Sequence, residues 1–138
     1  MPALNFQERW VEKIVDGSKH QTIRANRKRP IKVGDRLVIY IGQRTKECRK
    51  IGTGVCSSIS FIRMSGRRQI PQGLTTVHVD GRKLHTFDVD ELALADGFVT
   101  LCGSADSIRF LAFFLSTRDS FDGQIIKWED FKPYDKRT

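Results

Sequence analysis

"GSKHQTIRANRKRPIKVGD", Gly17 to Asp35, is the stretch on which the reading of this chain turns. It sets Lys19, Arg24, Arg27, Lys28, Arg29 and Lys32 against a single carboxylate, Asp35. Pro30 argues against a continuous helix through it, and "VGD" makes a turn. Just upstream, Phe6, Trp10 and Ile14 recur at helical spacing with Val11 and Val15 beside them. Asn5 and Glu8 have capping-box spacing, so an amphipathic helix of about twelve residues is expected, stopped by Gly17. Downstream, "RLVIYI" (Arg36–Ile41) reads as a buried strand of β-branched and aromatic residues. The stretch therefore joins a helix to a strand. In the plainer reading, Lys19 and His20 complement the helix C-terminal dipole while Thr22 and Arg24 begin a strand. In the sharper one, Thr22 is a hydroxyl beside a basic group able to take its proton. Spacing alone leaves both open.

Further along, "IGTGVCSSISFI" reads as a second strand with Ile51, Val55, Ile59 and Phe61 on one face. Gly52 and Gly54 within it suggest a bulge or a close backbone approach. "MSGRRQIPQG" is a loop. "TTVHVDGRKLHTF" is a hairpin, because Asp80-Gly81 suits a two-residue type I′ turn. That register sets His78 opposite Lys83 and His85 opposite Thr76. Asp88 and Glu91 form another capping-box pattern opening a short helix that ends at Gly97, and Ser104 caps a third helix carrying Ile108, Leu111, Ala112 and Leu115. "QIIKWEDF" is a closing strand, and residues 132–138 are expected to fray. No βαβ alternation is visible, which disfavours a doubly wound parallel sheet. The expectation is a single α+β domain spanning 1–138: a small, mostly antiparallel β-barrel with helices packed around it.

A chain of 138 residues with nine Phe can bury one real core. Cys48, Cys56 and Cys102 are odd in number and widely spaced, so free thiols are expected rather than disulfides or a zinc site. No run is long enough to span a membrane and no signal-peptide core opens the chain, so a cytoplasmic protein is expected. The net charge of +8 is concentrated: Gly17 to Lys50 carries 11 Lys or Arg against Asp35 and Glu47, while residues 88–138 are net acidic. Such asymmetry suits a polyanion, since Lys and Arg gain by releasing counterions from phosphates, and it points to nucleic acid or a nucleotide.

The run from Phe6 through Trp10, Ile14 and Gly17 into "KHQTIR", followed by "PIKVGD" and "LVIYIGQRTK", resembles the ASCH-domain family, a branch of the PUA-like superfamily. Gly17, Lys19, Thr22 and Arg24 meet its Gly-x-Lys-x-x-Thr-x-Arg element, and Gly34-Asp35 meets its Gly-Asp turn. "LALADGF" is similar to the family's late acidic-residue-plus-Gly-Phe segment, and "QIIKWEDF" to its closing strand. The resemblance implies a PUA-like barrel with a basic cleft between barrel and helices that binds RNA or a modified nucleoside. Some small members resemble acetylcytidine amidohydrolases using a Lys, a Thr and a Glu. Lys19 and Thr22 match the first two, and Asp96 falls at the third as a shorter acid. Other members act as ribonucleases, so phosphodiester cleavage stays open too.

Under that resemblance Lys19, Thr22, Arg24 and Asp96 line the cleft floor. As an enzyme, Thr22 is the nucleophile, Lys19 its base and Asp96 the orienting or proton-shuttling carboxylate; as a binder, the same residues hydrogen-bond a base and a phosphate. Arg24, Arg27, Lys28, Arg29 and Lys32 could grip phosphates without reading sequence. Tyr40 could stack a base or simply pack, and Arg44 and Lys46 form a second basic loop near the same opening. No cofactor is expected. Two histidines on the hairpin are too few for a closed metal site, and Trp10 and Trp128 are expected in the core.

Overall fold

The computed structural model describes residues 2–43, 45–46, 48–66, 76–98, 105, 107–115 and 120–134. Strand β1 (Ala3–Phe6) leads through a 3₁₀ turn (Glu8–Trp10) into helix α1 (Val11–Val15). Then come β2 (Gln21–Ala25), β3 (Arg36–Ile41), the long β4 (Arg49–Ser65), β5 (Thr76–Val79) and β6 (Arg82–Lys83). Helices α2 (Thr86–Ala95) and α3 (Ser107–Leu115) precede β7 (Ser120–Pro133). The α+β class holds, and among the described residues all strand pairs but one are antiparallel. The expected barrel does not close. One sheet runs β1-β3-β4-β5-β6, with β7 on the other side of β4 and β2 at the far edge of β7.

The N-terminal helix is shorter than its periodicity implies. Residues 3–6 pair in parallel with β3, Leu4 against Ile39 and Phe6 against Ile41, so Leu4 and Phe6 are buried as strand residues. Asn5 is no helix cap: its Oδ1 accepts a hydrogen bond from the Gln43 backbone N–H at 2.8 Å. Only Trp10 to Val15 keep the helical face, and Gly17 ends it at φ 87°.

In β4 the expected one-face set breaks up. Register shifts between Thr53 and Val55 and between Cys56 and Ser58 change the side facing inward. Ile51, Cys56, Ile62 and Met64 are buried, whereas Phe61 is 60% exposed. The bulge suggested by Gly52 and Gly54 is there.

The hairpin forms as expected: Asp80 and Gly81 take φ of 50° and 82°, and His78 pairs with Lys83. His85 does not face Thr76, since it has become the N-cap of α2, which starts at Thr86 rather than after an Asp88 cap. The helix ends at Gly97 as expected, with φ 96°. The closing strand is longer than "QIIKWEDF" suggested. Lys132 and Pro133 still pair with β4, and the Tyr134 N–H donates to the Ile51 carbonyl at 2.9 Å, so fraying does not begin at 132. Ser104 and Cys102 lie outside the described residues. Cys48 is exposed, Cys56 is buried, and neither is in a disulfide. No helix among the described residues is long and apolar enough to cross a membrane.

Two apolar clusters result. One joins α2 and α3 to the sheet through Ala93, Phe110, Phe114, Met64, Phe121 and Ile125. The other fills the curl between β1, β3, α1 and β7 with Leu4, Phe6, Ile14, Ile39 and Trp128. Burying each such side chain is worth about 1.5–3 kcal/mol, so the two clusters fix the helices against the sheet. Trp10 packs against both clusters, at the seam where they meet.

Candidate functional site

A cavity of about 440 Å³ opens at that seam, along the free edge of β2. Its polar lining is Asn5, Gln7, Lys19, Thr22, Arg24 and Asp96, and rings of Phe6, Trp10, Phe98 and Phe113 wall it. Lys19, Thr22, Arg24 and Asp96, singled out from the sequence, thus meet in one place although up to 77 residues apart.

Local backbone chemistry delivers each of them. After α1 the Ser18 N–H donates to Asp16 Oδ1 at 2.7 Å and the Lys19 N–H to the Lys13 carbonyl at 2.9 Å, turning the chain so that Lys19 enters the interior. Asp96 is the C-cap of α2. A helix C-terminus leaves carbonyls unpaired and carries partial negative charge, both of which attract a cation. Two lysines answer: Lys19 Nζ donates to the Asp96 carbonyl at 2.6 Å, and Lys13 Nζ to the Gly97 carbonyl at 3.0 Å. Lys19 Nζ also lies 3.5 Å from Asp96 Oδ1 and 4.8 Å from the centre of the Trp10 ring.

Thr22 and Arg24 share one face of β2 because strand side chains alternate. Arg24 Nε donates to Thr22 Oγ1 at 3.0 Å and a terminal nitrogen donates to the Asn5 carbonyl at 2.6 Å. Its guanidinium lies 4.7 Å from the Phe6 ring centre. One planar fork therefore ties β1 to β2 and lies over an aromatic wall.

The overall architecture matches the crystal structure of ASCH from Zymomonas mobilis with a TM-score of 0.53 at 13% identity, covering 95% of this chain and 68% of that one. Two point mutants of the same protein also match at 0.53, with 13% and 12% identity, 95% of this chain covered in each case, and 68% and 70% of theirs. The chain has the ASCH fold. No family model matches the sequence, and no curated protein sequence does either.

Within this ASCH fold the electrostatics of the cavity floor are unusual. Burial pushes the Asp96 carboxyl up to about 6; Lys19 pulls it back only in part, as does the nearby Gln21 amide, whose Nε2 falls outside hydrogen-bond geometry. Burial lowers the Lys19 pKa as well, against the opposing pull of Asp96. Both groups are drawn toward neutrality, the usual consequence of taking an ion pair out of water. Among the described hydrogen bonds Lys19 Nζ reaches Asp96 and not Thr22, whose hydroxyl instead accepts from Arg24.

Other residues suggested by the sequence lie elsewhere. The chain leaves the cavity rim at Ala25, and Arg27, Lys28, Arg29 and Lys32 follow, all exposed and outside the lining. Tyr40 sits on β3 opposite Asn5 and Lys50, half-buried and not among the residues that line the cavity. Lys46 is exposed in the turn after β3; Arg44 lies outside the described residues. Trp128 is core as expected, but Trp10 is a cavity wall as well. The aromatic walls were the missed part of the site. Phe6 and Trp10 stood in the run that carried the resemblance and Phe98 in "LALADGF", but none of them was read as a wall of the site, and Phe113 stood in neither. Among the described residues no group of three or more His, Cys, Asp or Glu gathers to hold a metal.

Proposed function

We propose that this ASCH domain binds RNA or a modified nucleoside, holding one base in the cavity above Lys19 and Asp96. The observation that carries the reading is the buried Lys19–Asp96 pair at the bottom of an aromatic-walled cavity. Its size falls in the usual range for small-molecule sites, which pair apolar walls with a few placed polar groups. Lys19 donates hydrogen bonds only. Asp96, titrating at about 6, can accept or, when protonated, donate. Together they suit the mixed donor and acceptor edge of a nucleobase, while the rings supply stacking worth about 1–3 kcal/mol per base. The exposed cations from Arg27 to Lys32 begin two residues beyond the rim and would position phosphates without reading sequence.

Amide hydrolysis is the second reading, favoured by Lys19, Thr22 and Asp96 lining one cavity. Thr22 would add to the acyl carbonyl, Lys19 would take the hydroxyl proton and pass it to the departing amine, and water would then cleave the acyl–Thr22 ester, releasing the acid and restoring the hydroxyl. It requires Lys19 to exchange its Asp96 contact for Thr22, which is why binding is placed first.

Calorimetric titration with nucleosides, acetylated cytidine and short single-stranded RNA tests both, with chromatography of each mixture. Saturable binding lost in Lys19→Met is the expected result. No binding by any of these ligands overturns the proposal. Deacetylated product that disappears in Thr22→Val moves the reading to an enzyme.

A further inference from the structure

Among the described residues one buried side-chain polar atom has no hydrogen-bond partner: Nε2 of Gln21, a residue 1% exposed. An N–H taken out of water and left unpaired is costly, so a buried orphan donor calls for a reason. Its neighbours alone do not supply one. On the same face of β2 the next side chain is Ile23, buried in the helix–sheet cluster. Leu92 and Ala95 from the end of α2 line one cavity with Gln21. An apolar side chain of the same length would fill that place without the cost of burying an amide.

The same end of α2 carries Asp96, whose buried carboxyl is short of donors. Among the described hydrogen bonds it receives only Lys19 Nζ, at 3.5 Å, a long contact beside the 2.6 Å that Lys19 makes to the Asp96 main-chain carbonyl. An ionised carboxylate has room for about four. The Gln21 amide is near enough to favour the charged form of that carboxyl. A donor without an acceptor and an acceptor short of donors thus lie together. We propose that Gln21 is a positioning residue of the base site: its amide N–H takes up the Asp96 carboxylate and holds it as the hydrogen-bond acceptor that faces the bound base. The inference rests on the base-binding reading above. Gln21 itself does not reach the ligand, because strand alternation turns Thr22 and Arg24 toward the cavity and Gln21 away from it, outside the lining. It acts through Asp96. With the carboxylate held by Gln21, Lys19 is released from its 3.5 Å contact and can turn that donor to the base. The charged groups facing Asp96 are Lys19, from the turn after α1, and Arg24, from β2, while Lys13 of α1 sits on the adjoining Gly97 carbonyl. On the far side of Gln21, Asp88 and Glu91 of α2 and Lys127 of β7 line one cavity with it, and neither acid accepts from Nε2.

The test follows the Asp96 carboxyl carbon and the Gln21 side-chain amide by NMR in the whole protein across the acid-to-neutral range, with Asp96→Asn assigning the carboxyl signal. In the wild type the Gln21 amide protons should shift through the same midpoint as Asp96, about 6. Gln21→Met and Gln21→Leu keep the bulk and remove the donor, and circular dichroism verifies their folds. Each should raise the Asp96 midpoint by on the order of one pH unit, the worth of one hydrogen bond to a charged group. Calorimetry with the four common nucleosides then reads the consequence: the acid limb of the affinity profile should move up with the Asp96 midpoint. A Gln21 amide signal that ignores pH, or an Asp96 midpoint unmoved in both variants, overturns the inference whether or not a nucleoside binds. A midpoint that moves while the affinity profile stays also overturns it and leaves the base site standing. If the midpoint moves and no nucleoside binds to any of the proteins, the base reading falls and the positioning role with it, while the Gln21–Asp96 hydrogen bond remains.

Discussion

Lys19 Nζ sits 2.6 Å from the main-chain carbonyl of Asp96 but 3.5 Å from its carboxylate, so the helix end, more than the acid, holds the lysine. The carboxylate is the adjustable partner of the two. Lys19 and Asp96 are 3% and 5% exposed, and burial works against the charged form of each.

This gives stability a definite pH dependence. Asp96 holds its proton up to about 6 in the folded state, whereas in the unfolded chain it loses it near 3.8. Between those values the folded protein binds more protons, so the Asp96 contribution falls as pH rises through the window and is flat above it. Lys19, lowered in the fold, acts oppositely on the alkaline side: stability rises with pH between its depressed folded value and 10.5. In urea melts from pH 4 to 7, wild type should lose on the order of 3 kcal/mol relative to Asp96→Asn. Parallel profiles for the two proteins would show that Asp96 does not titrate across this range.

Gly97 couples the helix end to the cavity wall. Its φ is 96°, and a Cβ there would come within 2.6 Å of the Trp10 ring. Gly97→Ala therefore combines backbone strain with a collision that moves Trp10. We expect a loss of about 1–3 kcal/mol in stability together with a shift in Trp10 fluorescence. To isolate that signal, the spectra are taken in a Trp128→Phe background. An unchanged spectrum would mean that Trp10 is not seated against Gly97.

How far the sequence could be read depended on how local each signal was. The Asp80-Gly81 turn and the apolar run of β3 are complete within a few residues, and both form as read. Strand β1 was hidden because its pairing partner lies some 35 residues away, and the Asn5/Glu8 spacing imitated a cap. The parity of β4 failed at Phe61 because bulges are a property of the paired sheet, not of one strand. Lys19 and Asp96 were found through motif resemblance, since nothing in either neighbourhood alone predicts that they touch. Arg9 and Arg109 carried no such mark, and only packing shows them lining one cavity.

Salt titration addresses the exposed cations. If several of Arg27, Lys28, Arg29 and Lys32 meet phosphates, log K for single-stranded RNA should fall against log salt by about 0.7 per contact. Replacing Arg27 and Lys28 by Gln should reduce that slope by about 1.4 and weaken all sequences alike. A slope untouched by the double variant would place the phosphates elsewhere.

Arg24 offers the most direct test of whether the site depends on one fork. Its Nε donates to Thr22 Oγ1, a terminal nitrogen donates to the Asn5 carbonyl, and the guanidinium lies over the Phe6 ring. A lysine keeps the charge but cannot make two divergent hydrogen bonds while stacking flat. Arg24→Lys should therefore leave Thr22 without its donor and loosen β1 from β2, at about 1–3 kcal/mol in stability. Ligand binding separates the possibilities. If Arg24 acted only as a positive charge, Arg24→Lys would bind RNA like wild type at every salt concentration. If geometry matters, affinity should drop on the order of tenfold with the salt slope unchanged, because the cation remains and only its placement is lost. Hydrogen exchange at residues 3–6 reads the loosening independently: faster exchange there, with β7 unaffected, would locate the damage at the β1–β2 tie. Wild-type exchange and wild-type binding together would remove Arg24 from the site.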